Sequence, residues 1–255
     1  MRRTLIVAVL VFAAGLLASC GKGSLTVTGG QASAARSGGA TSQAGPPAGQ
    51  TPTKQRAVAF AHAVNLTPSD VPGFAATEKH SSSSAGEKQL ERQMLRCAGL
   101  AGSVKAVAEE SSQSFRLKRQ IVDLSVSSEV AVEPSAALAQ KSLSAIRSSH
   151  VRGCFTRYLQ QIFEREQVKG ATAGPVTIQS GTPPAPGMSG SFGWRVTATF
   201  VVRGIKVPIY LDFLGFVDGP SEVTLLSSGL LAPFPAGAQQ HLFSLLLARA
   251  RRHKL

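Results

Sequence analysis

The stretch FGWRVTATFVVRGIKVPIYLDFL, residues 192–214, decides the fold. Phe192, Trp194, Val196, Ala198, Phe200 and Val202 fall on alternate positions, and so do Ile205, Val207, Ile209, Leu211 and Phe213. An apolar residue at every second position marks a strand with one buried face. With Arg203-Gly204 as a two-residue loop, Val202 opposes Ile205 and Trp194 opposes Phe213, so both apolar sets share one side. That register also sets Arg195 opposite Asp212 on the other face, a cross-strand ion pair worth at most about 1 kcal/mol. Arg-Gly is not the favoured loop pair, which leaves a longer loop with a bulge as the alternative. Pro208 points to a sheet edge or a bulge.

Downstream, Asp218-Gly219-Pro220-Ser221 reads as a turn into a strand over 222–230, and Pro233 and Pro235 precede a closing helix over 236–250 with Leu242, Leu245 and Leu246 inward. Upstream, Val122, Leu124, Val126, Val130 and Val132 alternate with small and polar residues, which predicts a half-buried strand with a polar outer face, paired with a shorter segment around Phe115 and Leu117. Pro134 opens a helix with Ala139, Leu143 and Ile146 inward. Val151, Cys154, Phe155, Tyr158, Leu159, Ile162 and Phe163 follow helical spacing. So do Leu90, Met94, Cys97, Ala98 and Ala101. Residues 54–64 read as a short helix, and Thr67-Pro68-Ser69-Asp70 as another helix start with Thr67 at the N-cap. Asn65-Leu66-Thr67 fits a glycosylation sequon and is read as helix-flanking residues. Helices and strands in this order predict an α+β domain over 56–255, an antiparallel β-sheet with helices packed mainly on one face.

The N-terminal segment has a different character. Arg2 and Arg3 precede an uncharged apolar run, Leu5 to Leu17, the layout of an export signal. A helix of that length reaches roughly 20 Å, short of a hydrocarbon core of about 30 Å. Leu17-Ala18-Ser19-Cys20 resembles the lipobox of bacterial lipoproteins, in which the chain is cleaved before a cysteine that carries a diacylglyceryl group. That resemblance implies a signal peptide over 1–19, lipidation at Cys20, and a protein anchored on the extracytoplasmic face of the cell membrane; the alternative is secretion with cleavage elsewhere. Residues 20–55, rich in Gly, Ser, Ala and Pro, are too poor in apolar side chains to offset their ordering entropy and read as a disordered tether.

Cys97 and Cys154 lie on apolar faces of separate helices in a chain addressed to an oxidising space, and are expected to be bonded to each other. Closing that loop stabilises by about 4 kcal/mol in the chain-entropy picture. The alternative is two buried free thiols.

Without Arg2 and Arg3 the chain carries 25 Lys and Arg against 14 Asp and Glu, a formal excess of +11. Cations in that excess favour anionic headgroups or anionic wall polymers, and export argues against nucleic acid. The run ARARRHKL at 248–255 closes a helix whose negative end its cations complement. No CxxC, HExxH, Walker or GxGxxG pattern is present, the five histidines lie far apart, and His241 sits on a leucine-rich helix. The chain is therefore read as a non-enzyme without a cofactor or metal. Trp194 and Phe213 are the candidate ligand-binding residues, as the floor of a pocket between sheet and helices; the alternative is that Trp194, an aromatic on the inward face of a hairpin, is a core residue.

NLTPSDVPGF, LRCAGL, VSSEVAVEPSAALAQKSLSAIRSSHVRGCFTRYL and GWRVTATF, followed by a C-terminal helix, resemble in their succession the envelope lipoproteins and extracytoplasmic sensor-like domains of actinobacteria. The pattern is similar to the sensor portion of certain mycobacterial membrane kinases. The resemblance implies a helix-backed antiparallel sheet with a groove for an unidentified ligand, and it carries over only Cys97 and Cys154, as a disulfide. The chain departs from those kinases in having no kinase region, no spanning helix and at most one bridge. Two functions follow as expectations: an anchored domain that binds an apolar or amphipathic envelope ligand, or a non-catalytic module that docks an anionic wall polymer or membrane protein through its basic surface.

Overall fold

The computed structural model describes residues 51–77, 85–99, 105–119, 122–165 and 171–255. Cys20, the segment expected to be a signal peptide, Ala101 and the expected tether up to residue 50 lie outside these. The first described element, α1 (Lys54–Val64), is capped by Thr53, whose hydroxyl accepts from the Arg56 amide at 3.4 Å. The segment expected to end the tether at 55 thus already holds the first residues of a helix. A 3₁₀ turn (Pro68–Asp70) and a short β1 (Ala75–Thr77) follow. Next come α2 (Ala85–Cys97), β2 (Ala108–Ser111), β3 (Ser114–Arg119) and β4 (Val122–Val132), then α3 (Ala136–Arg147) and α4 (Ser149–Arg165). β5 (Ala171–Ala173), β6 (Thr177–Gly181), β7 (Gly190–Val202), β8 (Ile205–Asp218), β9 (Ser221–Leu230) and α5 (Ala236–Arg252) complete the described fold.

The strands form one antiparallel sheet of nine, in the order β1-β3-β4-β9-β8-β7-β5, with β2 also on β4 and β6 also on β7. Four long strands, β4-β9-β8-β7, make its body, and pairs of short strands lie end to end along the outer edges of β4 and β7. The α+β class and the antiparallel sheet are those read from the sequence.

The hairpin register also holds residue for residue. Val202 pairs with Ile205, Trp194 with Phe213 and Arg195 with Asp212. Arg203 and Gly204 both take positive φ, 50° and 81°, as a two-residue loop matched to strand twist requires, so the bulged alternative is not taken. Pro208 sits just beyond the β8–β9 ladder, which begins at Ile209 opposite Leu230, and so deprives that ladder of no donor. With β7 as its only sheet partner there, the tip of β8 leaves Ile205, expected inward, 68% exposed.

Side chains directly opposite one another in the register share a face, and this separates two cores. On one face Trp194, Val196, Phe200, Leu211, Phe213 and Leu226 meet α3 and α4, with α2 packed on α4. On the other face Phe115, Val126, Val130, Phe216, Val223 and Leu225 meet α1 and α5. Three helices thus serve the hairpin face and two the reverse. β4 gives this second set its apolar side, Val126 and Val130, and its polar side, Asp123, Ser125, Ser127 and Glu129, expected to face solvent, is buried as well, on the hairpin face.

Phe155 on α4 is the hub of the hairpin-face core. It is fully buried, its ring centroid lying 5.2 Å from Trp194, 5.8 Å from Phe213 and 6.0 Å from Tyr158. The Phe192 ring lies over Gly215, where an added Cβ would come within 2.1 Å of it, so no larger residue fits without moving the ring. Truncating Phe155 to Ala removes the ring contacts and leaves a cavity, at a cost of about 3–5 kcal/mol. For a domain of this size that lowers the melting temperature by about 10 °C, as read by circular dichroism.

Candidate functional site

The sequence places three kinds of candidate on this scaffold: a cysteine pair, a Trp194/Phe213 pocket and a basic exterior. Cys97 and Cys154 form a disulfide, with Sγ–Sγ 2.07 Å and Cα–Cα 5.8 Å. Leu90, Met94 and Ala98 seat α2 on α4 beside it. The His150 Nε2–H donates to the Cys97 carbonyl at 2.7 Å, and Arg157 Nη2 lies 2.9 Å from Cys97 Sγ and 3.6 Å from Cys154 Sγ. Helical spacing could have flagged these two neighbours: His150 stands four residues before Cys154 and Arg157 three after it.

Trp194 and Phe213 do stand side by side, as the register requires. They are 3% and 2% exposed and lie against Phe155, so the space expected as a pocket is filled by an aromatic ring from α4. His241 lies exposed on α5, and among the described residues no group of three His, Cys, Asp or Glu is placed to hold a metal ion. No helix among them is long and apolar enough to cross a membrane.

The Arg195–Asp212 pair set by the hairpin register is present; what the sequence did not disclose is how deeply the carboxylates are buried and which further arginines reach them. Arg195 forks onto Asp212 through Nε at 2.6 Å and Nη2 at 3.0 Å, the carboxylate 4% exposed and the guanidinium 41%. Arg116 forks onto buried Asp123 on the opposite face. Arg249 on α5 grips Asp70 with both terminal nitrogens at 2.8 Å and donates to the Asn65 carbonyl at 2.9 Å. Asp70 in turn accepts from the Thr67 amide at 2.7 Å and the Thr67 hydroxyl at 2.9 Å. Asn65, read as helix-flanking, joins this knot to the sheet: its Nδ2 donates to the Glu110 carbonyl, and its Oδ1 accepts from the Ser128 hydroxyl, which itself accepts from the Leu66 amide.

Beside these forks, Glu129, Glu133 and Glu222 are buried along the sheet with Thr224 and the Ser125–Ser228 hydroxyl pair, 3.0 Å apart. Carboxylates are rarely buried, and sequence pattern alone reads alternating Ser and Glu as solvated.

The consequence is a sorting of charge. Among residues whose side chains are described, fifteen Lys and Arg are exposed and only two carboxylates are, Glu109 and Glu164. Among the described residues the exterior is therefore far more basic than composition alone implies. The outward sides of the helices carry Arg92, Arg96, Lys141, Arg147, Arg157 and Arg165. The hairpin tip carries Arg203 and Lys206 around Ile205, the large apolar side chain most exposed among the described residues.

No family model matches the chain, and no curated protein matches it. Among solved structures it is similar to the extracellular domain of PknH from Mycobacterium tuberculosis, at 12% sequence identity and a TM-score of 0.33, over 79% of this chain and 98% of that one. A likeness of that extent carries no argument about ligand or partner.

Two carboxyls titrate in opposite senses. Burial pushes the Asp70 carboxyl up, but the hydrogen bonds from Arg249 and Thr67 outweigh it and hold it below its ordinary value. A depressed acid stabilises the fold above its ordinary pKa of about 3.9, and that contribution is lost as pH falls through the folded value. Burial raises the Asp218 carboxyl, only partly offset by Lys254 and Arg251, so its ionised form opposes folding at neutral pH. In urea unfolding at pH 7, Asp70→Asn is expected to cost about 1–3 kcal/mol. The deficit shrinks as pH drops below about 4. Asp218→Asn is expected to raise the midpoint at pH 7, with the gain fading as pH falls through the raised value.

Proposed function

We propose that this chain is a cell-envelope lipoprotein, anchored through Cys20 on the extracytoplasmic face of the membrane, whose folded part is an interaction module for an anionic surface. The sorting of charge carries this reading. A sheet that takes its carboxylates inward and leaves its cations outside gives a field that attracts headgroups or polymers carrying phosphate or carboxylate. The hairpin tip has the composition of an interfacial contact, with one apolar side chain flanked by two cations long enough to reach the headgroups. The disulfide fits an oxidising compartment. The other function expected from the sequence, an apolar ligand held at Trp194 and Phe213, is the weaker reading, because Phe155 occupies the space between sheet and helix.

Nothing in this reading calls for catalysis or a cofactor. Lipid at Cys20 supplies residence, the tether supplies reach, and the basic surface supplies the contact.

Two measurements test it. Cys20→Ser is expected to release the protein from sedimenting membranes after a salt wash, since a charged surface alone is screened within about 10 Å at 0.1 M salt. The mature chain from residue 20, carrying that substitution, should bind phosphatidylglycerol-containing vesicles steeply better at low salt than at high salt, and phosphatidylcholine vesicles hardly at all. Ile205→Asp with Lys206→Glu should weaken that binding several-fold, as loss of about 1 kcal/mol per cation implies. Salt-independent binding, or an apolar molecule co-purifying in native mass spectrometry, would favour the other function.

A further inference from the structure

The disulfide lies at the border of the apolar cluster between α2 and α4, with the exposed Arg157 against its sulfurs. A structural pair usually has its sulfurs among apolar groups, where a thiolate is disfavoured and reduction is resisted. Here Cys154 is 2% exposed but Cys97 is half-buried at the end of α2, and the exposed guanidinium of Arg157 lies within 2.9 Å of one sulfur and 3.6 Å of the other. A fixed cation at that distance favours whichever sulfur leaves as a thiolate. His150, donating to the Cys97 carbonyl, holds the end of α2 in place against α4.

We infer that the Cys97–Cys154 disulfide is a site of thiol–disulfide exchange, with Cys97 as the sulfur attacked and Arg157 as the positioning group for the thiolate that departs. The co-reactant is a dithiol. Its first thiolate bonds to Cys97 Sγ, and the electron pair of the Cys97–Cys154 bond goes to Cys154 Sγ, which leaves as a thiolate beside Arg157. The second thiolate of the dithiol then attacks the dithiol sulfur of the mixed disulfide, and Cys97 is released. The dithiol has become a disulfide, this chain has gained two electrons, and its two sulfurs have taken up the two protons that the dithiol gave to solvent.

Attack at Cys97 rather than Cys154 follows from burial, since an incoming sulfur must reach the bond. Reduction would remove the covalent tie between α2 and α4 and leave the packing of Leu90, Met94 and Ala98 and the hydrogen bond from His150 to the Cys97 carbonyl.

The test uses the full chain in its oxidised form, with dithiothreitol as the dithiol probe. Reduction is followed by alkylation and mass spectrometry, and the equilibrium is set with glutathione buffers. Arg157→Gln is expected to slow reduction about tenfold and to move the midpoint by about 30 mV toward more reducing potentials. Arg157→Lys, which keeps a cation, is expected to stay within about threefold of the parent protein. Brief exposure to glutathione should place the mixed disulfide on Cys97. A Gln variant that is reduced as fast as the parent protein, or a glutathione adduct on Cys154, would overturn the inference. So would a parent rate that does not depend on dithiothreitol concentration, because the bond would then be reached only through unfolding. The adduct position and the dependence on dithiothreitol concentration decide the matter even if the Gln variant fails to fold.

Discussion

A strand inside a sheet can be buried on both faces only if each set of alternate side chains finds its own cover, and this constraint governs the molecule. β8 and β9 meet it by sending Phe213 and Leu226 to one face and Phe216, Val223 and Leu225 to the other. Each face then needs helices, and the chain supplies them from both ends: α3 and α4 on the hairpin face, α1 and α5 on the reverse. Because side chains alternate strictly, a slip of one residue in the β7–β8 register would turn the apolar set of one strand to the reverse face, set Trp194 against Asp212 or Leu214 in place of Phe213, and break the Arg195–Asp212 fork. The two-residue loop at Arg203-Gly204 therefore matters beyond its length: it locks the register on which both cores depend.

Burial on both faces also decides where charge can go. β4 and β9 are rich in Ser, Thr and Glu, and their central place leaves little of that polar content to solvent. Carboxylates so buried need partners, and three are held by arginines reaching in from a neighbouring strand or from α5. The remaining cations have no such demand and stay on the surface. A basic exterior is thus a by-product of the same sheet geometry that builds the cores, and it is this exterior that the anchored chain presents to its surroundings in the proposed function.

The disulfide links the two themes. It fastens α2, the helix outermost on the hairpin face, to α4, whose other side carries Phe155 into the core. One helix thus carries Phe155 and Cys154 on its buried side and Arg157 at the exposed margin, where its guanidinium reaches the two sulfurs.

Much of this was legible in sequence because period alone carries it. The alternation over 192–213 stated the hairpin and its register, the spacing from Val151 to Phe163 stated the inner side of α4, and the two helical cysteines stated a pair. The short strands β1, β2, β5 and β6 were not legible, since three to five residues are too few to show a period and they exist by pairing with the long strands β4 and β7 or with β3. That Trp194 could be a core aromatic was legible, but not that Phe155 covers it, because α4 supplies that ring from about forty residues upstream, and no local pattern says which ring a helix will lay on which strand. The burial of Asp123, Glu129 and Glu222 belongs to the same class. Alternation fixes which side chains point the same way, but only the assembled sheet determines whether that direction leads to water or to another layer of protein.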